Sequence, residues 1–112
     1  MVWNSSLFAA MAVAATVGLF ALVARADDAA NAQADKDALN IFNSTCGWCH
    51  QGGGRKPGGI GPKLMDSERS DDYILNRIKA GKEGKMPAFG TNFTEAQIQA
   101  LLRYIRSLKP ES

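Results

Sequence analysis

Beyond position 23 this 112-residue chain contains no valine, and no segment alternates convincingly between apolar and polar residues. Strands favour β-branched residues and a two-residue rhythm, so a sheet is not expected. Cysteine is scarce, with only Cys46 and Cys49, and His50 is the single histidine. Charge of one sign is also lacking. A formal net charge of +2 argues against a nucleic-acid binder held by bulk electrostatics. The length leaves room for one domain. Large apolar side chains are thin as well. The chain is 46% hydrophobic overall, but 20 of those residues fall in residues 1–26, and the 86 that follow are only about 36% apolar. That is lean for a domain that must fill a core.

The crowded part is the N-terminal segment. Residues 7–24 are rich in Ala, Val, Leu and Phe, end in Ala24-Arg25-Ala26, and give way to Asp27-Asp28. This is the layout of a secretory signal peptide cut after Ala26, although residues 1–6 supply no Lys or Arg. An uncleaved anchor is the alternative, because 18 residues are near the lower limit for crossing a bilayer. Both readings place the remainder outside the cytoplasm. Residues 27–34, Ala-rich with Asn and Gln, read as a flexible leader, and residues 35–110 as the folded domain.

Three helices are expected there, giving an all-α fold. Residues 35–45 space Ala38, Leu39, Ile41 and Phe42 helically, with acidic residues in the first turn. Residues 70–80 open on Ser70 with Asp71 and Asp72 and stop at Gly81, with a stripe of Ile74, Leu75 and Ile78. Residues 95–108 carry a capping box of Thr94 and Gln97, a staple of Phe93 and Ile98, and a stop at Pro110. Between the first two helices, residues 51–62 hold six Gly and two Pro in twelve positions. Such a loop turns freely but keeps no shape of its own, so it needs something to wrap around.

The chemistry is concentrated in Cys46-Gly47-Trp48-Cys49-His50. A redox dithiol fits the spacing but expects a βαβ setting. A zinc site wants four ligands, and three cluster here. A disulfide across so short a loop would stabilise little and leave His50 unexplained. C-x-x-C-H is the haem attachment signature, in which both thiols bond the porphyrin and the adjacent imidazole lies under the iron. Export and the shortage of core volume agree with it.

These residues resemble the small class I cytochromes c over nearly all of residues 35–110. Phe42 stands four residues before Cys46, as the family's helix-one aromatic does. Leu101 and Tyr104 match the paired contacts of its last helix, and Ala38 stands where the family often has Gly at the helix crossing. Ile60-Gly61-Pro62-Lys63-Leu64 is similar to its segment after the haem-binding histidine, and Lys85-Met86-Pro87-Ala88-Phe89 to its methionine-ligand loop. The resemblance implies a class I fold of three main helices and Gly-rich loops wrapped around one haem c. Cys46 and Cys49 would attach it, and His50 would ligate iron. It also implies that the Pro62 carbonyl orients His50, and it places Leu64 beside the cofactor. Met86 is the expected sixth ligand: no helical stripe explains it, and Pro87 restricts its backbone to an extended form. Met65 has an ordinary explanation as a core gap-filler.

Two flanking aromatics have two readings each. Trp48 lies at the surface or haem edge, with packing on helix one as the alternative. Tyr104 packs between helices one and three, with a haem-propionate or redox role for its hydroxyl as the alternative. Charge is sorted along the chain, with a net of −3 over residues 27–54 and +3 over residues 55–85. Arg55, Lys56, Lys63, Lys82 and Lys85 would rim the haem edge and steer an acidic redox partner. The plainer reading is that they keep Gly-rich loops soluble. The function expected is one-electron transfer by a soluble monomer, not catalysis. Donors implied by the resemblance are a quinoprotein dehydrogenase or bc-type complex, and acceptors a terminal oxidase or photosynthetic centre. The compartment would be the periplasm, or the thylakoid lumen in a photosynthetic source. The alternatives are a membrane-tethered subunit of a larger oxidoreductase and a haem enzyme or sensor in which Met86 is displaced.

Overall fold

The computed structural model describes the backbone of residues 6–111 and the side chains of residues 22–111. The chain divides after Ala30 into two compact units, and the second, which begins at Asn31, holds the chemistry-bearing residues. Most of the apolar stretch read as an export signal lies outside the described side chains. Among the described residues, no helix is long and apolar enough to cross a membrane.

Three helices and no strand are present among the described residues. Helix α1 spans Ser6–Ile41 and continues into a wider, π-type turn over Phe42–Cys46. Residues 27–34, read as a loose leader, are helical instead, and Ala34 is buried. The reason is spacing: Ala34, Ala38 and Phe42 recur every four residues and form one buried stripe. Leu39, expected in the core, falls off that stripe and is 50% exposed. Ala38 is small enough to be nearly sealed at 1% exposure.

Helix α2 spans Asp71–Ala80. Ser70 accepts a hydrogen bond from the Tyr73 amide at 3.2 Å, and the chain leaves the helix at Gly81, whose φ of 66° suits glycine. Helix α3 spans Glu95–Ser107, and its capping box is formed on both sides: the Gln97 amide donates to Thr94 Oγ1 at 3.2 Å, and the Thr94 amide donates to Gln97 Oε1 at 2.9 Å.

Ile74 and Ile78 of α2 meet Ile98, Leu101, Leu102 and Ile105 of α3 in one apolar cluster with the α1 stripe. Among the described residues, only Phe42, Ile98 and Leu101 are large and sealed from solvent, so the shell is thin. Arg103 pairs with Asp35 at 2.7 Å, tying α3 to α1. Arg106 forms a clamp on the segment leading into α2. It donates to the Ser67 carbonyl at 2.8 Å, to Asp71 Oδ1 at 2.9 Å and to the Arg69 carbonyl.

Candidate haem-attachment site

Cys46 closes the π-type turn, and the chain folds back on itself there. The Cys49 and His50 amides both donate to the Cys46 carbonyl, at 3.2 and 2.9 Å. Both cysteines are half-buried and are not joined to each other. Burial, and secondarily the charge of Cys49, pushes the Cys46 thiol up to about 11. Before attachment it is therefore a neutral thiol at ordinary pH.

His50 is the one polar side chain in the buried set of the described residues, at 8% exposure. Its Nδ1 lies 2.9 Å from the Pro62 carbonyl oxygen. A carbonyl only accepts, so Nδ1 carries the proton and Nε2 keeps a lone pair. Gly61 passes flat against the imidazole, where a Cβ would stand 2.5 Å from His50 Cε1. The Gly61 amide in turn donates to the Cys49 carbonyl at 2.9 Å, which binds the Gly-rich loop to the motif.

Gly54, at φ 88°, is the knot of that loop. It accepts from the Leu64 and Met65 amides at 2.8 and 3.0 Å, and a Cβ on it would crowd Leu108, Phe42 and Leu64. Leu64 and Met65 are both half-buried, and Leu64 packs on the core. The Tyr104 ring lies 4.7 Å from that of Phe42, and its hydroxyl donates to the Gly53 carbonyl at 3.0 Å. Trp48, by contrast, is 79% exposed.

Met86 is half-buried against the core and sits in a two-way backbone pair with Lys82. The Lys82 amide donates to the Met86 carbonyl and the Met86 amide to the Lys82 carbonyl, each at 2.8 Å. Gly81 makes the pairing feasible, because a Cβ there would collide with the Met86 carbonyl oxygen. Sequence reasoning misses this pairing and the contact of Gly61 with His50. The glycines at 81 and 84, bracketing the charged turn, are the available signal for the first. Gly61, next to Pro62, is the signal for the second.

The attachment motif offers two thiols and one imidazole with its Nδ1 already committed. Those residues suit a covalently held haem. Residues 33–105 match the family model described as cytochrome C oxidase, cbb3-type, subunit III. The chain belongs to the small class I c-type cytochromes. This cytochrome carries one haem c, attached through Cys46 and Cys49. It is similar to cytochrome c6 of Thermosynechococcus vestitus, 31% identical over 103 residues that cover 86% of this chain and 83% of that protein. Cytochrome c6 of a Synechococcus strain is 33% identical over 76 residues, 62% of this chain and 65% of the relative's length. The chloroplastic cytochrome c6 of Chlamydomonas reinhardtii is 32% identical over 88 residues, covering 69% of this chain and 57% of the relative. No solved structure gives a significant match.

Proposed function

We propose that this cytochrome carries single electrons between redox proteins outside the cytoplasm, with His50 and Met86 as the two axial ligands. The observation that carries the reading is the fixed His50 imidazole. Its Nδ1 is held by the Pro62 carbonyl at 2.9 Å, which leaves Nε2 free to bind a metal. When bound, haem supplies an iron that alternates between ferric and ferrous states. Met86 presents a thioether from a loop closed by two 2.8 Å backbone hydrogen bonds. A thioether ligand raises the reduction potential relative to a second imidazole. If His50 and Met86 both bound the iron, the site would have no place for a substrate. Because both ligands sit on hydrogen-bonded backbone, little rearrangement accompanies the change of charge. Leu64 and the Phe42–Tyr104 pair supply apolar contact around the attachment motif.

The proposed donor is a quinoprotein dehydrogenase or bc-type complex, and the proposed acceptor a terminal oxidase or photosynthetic centre. The proposed compartment is the periplasm, supported by the Ala24-Arg25-Ala26 site at the end of the apolar stretch. Exported protein is expected to begin at Asp27, and a retained Met1 would refute the cleavage.

Potentiometric titration of the haem-loaded protein tests the carrier reading. One reversible one-electron transition, with no carbon monoxide binding by the ferrous protein, is expected. Carbon monoxide binding to the untreated protein would show an open coordination position and overturn it.

A further inference from the structure

We propose that Arg77 is a positioning residue for the sixth ligand, and that its guanidinium locks the Gly81–Lys82 peptide on which the Met86 loop closes. The proposal rests on the reading of Met86 as an axial ligand and names the side chain that holds its loop in register. That single peptide unit is gripped at both ends. Its carbonyl, on Gly81, accepts from Arg77 Nη1 at 3.2 Å. Its N–H, on Lys82, donates to the Met86 carbonyl at 2.8 Å. Glycine places few limits on the rotation of this peptide, and the φ of 66° at Gly81 is one that other residues rarely adopt. A turn of the peptide would take the Lys82 N–H away from Met86. The hydrogen bond from Arg77 opposes that turn.

Arg77 is itself held. Its Nη2 donates to the Tyr73 hydroxyl oxygen at 2.9 Å, and its guanidinium carbon lies 5.2 Å from the centre of the Tyr73 ring. Arg69 lies 4.9 Å from the same ring centre. Tyr73, Arg77 and Gly81 follow one another at four-residue intervals, so one side chain spans from the first turn of α2 to the residue just past its end. A flat fork of several donors can bridge two acceptors in this way, whereas a lysine ammonium is a single point on a flexible stem. Arg77 forms no ion pair among the described residues, so Tyr73 and Gly81 are what its charge is turned towards.

The same end of α2 anchors both sides of the loop. The Gly81 amide donates to the Arg77 carbonyl at 2.9 Å, the Phe89 amide to the Ile78 carbonyl at 3.0 Å and the Gly90 amide to the Lys79 carbonyl at 3.1 Å. Residues 81–90 therefore leave and rejoin one helical turn. The bond from Arg77 is the one side-chain hydrogen bond to the backbone of that segment among the described residues. Lys82, Glu83 and Lys85 at its tip are exposed and form no ion pair among the described residues, so they supply no second brace.

The test uses the full haem-loaded protein carrying Arg77→Gln, with two readouts. One is amide hydrogen exchange in the ferrous state. The other is cyanide binding to the ferric state, where the Met86 thioether must leave before cyanide enters. Exchange at the Lys82 and Met86 amides and the rate of cyanide binding are each expected to rise about tenfold, the size that follows from losing a hydrogen bond with a charged donor. The Leu101 amide, inside α3, should exchange as in wild type. Arg77→Lys should resemble Arg77→Gln, because it keeps the charge but not the fork. Arg69→Gln, which removes the other cation at the Tyr73 ring, should behave as wild type. Unchanged exchange and cyanide rates in Arg77→Gln would overturn the proposal. So would an equal rise at Leu101, which would reduce Arg77 to a contributor to global stability, or full rescue by Arg77→Lys, which would reduce it to its charge. If exchange rises at Lys82 and Met86 alone while the wild type shows no iron–sulfur charge-transfer band, it is the reading of Met86 as a ligand that fails.

Discussion

Gly61 lies so close to His50 that a methyl group in place of its hydrogen would stand 2.5 Å from the imidazole Cε1. The loop that carries the Pro62 carbonyl to Nδ1 can reach it only because position 61 has no side chain. Gly61→Ala is therefore expected to push the ring off its carbonyl partner and cost roughly 1–3 kcal/mol, as overpacking does. Thermal melting and the absorption spectrum of the haem-loaded variant check this. A variant with wild-type stability and spectrum would show that the contact is not tight.

Tyr104 offers a cleaner dissection, since its ring and hydroxyl have separate partners. Tyr104→Phe keeps the tilted ring contact with Phe42 and removes only the hydrogen bond to the Gly53 carbonyl. The expected loss is about 0.5–1.5 kcal/mol in a denaturant titration, with the potential unaltered. A shifted potential with unchanged stability would instead assign the hydroxyl a redox role.

The thin shell implies dependence on the cofactor. Among the described residues, the buried Ala34, Ala38 and Ala100 contribute little area, and only three large side chains are sealed. Each fully buried large residue stabilises by about 1.5–3 kcal/mol, and too few reach full burial without an added surface to cover them. Cys46→Ala/Cys49→Ala protein prepared without haem is expected to be largely unfolded. Circular dichroism should show no cooperative melt, and a sharp native-like transition would contradict the cofactor dependence.

Much of the fold is legible in the amino-acid order because its signals are local. Ser70, Gly81, Thr94 and Gln97 mark helix ends through hydrogen bonds that span only three or four residues. Cys46, Cys49 and His50 are close neighbours in the chain, so their chemistry reads without a fold. Pro62 and Tyr104 need family resemblance, because their partners lie 12 and 51 positions away. The start of the first helix is not legible. Ala34 is a weak apolar signal in an Ala-rich segment, and only packing reveals that it lies on the same face as Ala38 and Phe42. Leu39 misleads in the opposite way, being strongly apolar but one position off that face. The clamp by Arg106 has no sequence signal, since it grips two backbone carbonyls as well as Asp71.

We propose that the Met86 thioether, on the loop paired with Lys82, and the Pro62-bound His50 imidazole would both ligate the haem iron. Absorption spectra of oxidised wild-type and Met86→Ala protein, both carrying covalent haem, test it most directly. An iron–sulfur charge-transfer band is expected in the wild type, with its loss and a lower reduction potential in Met86→Ala. An unchanged band and potential in Met86→Ala would contradict it.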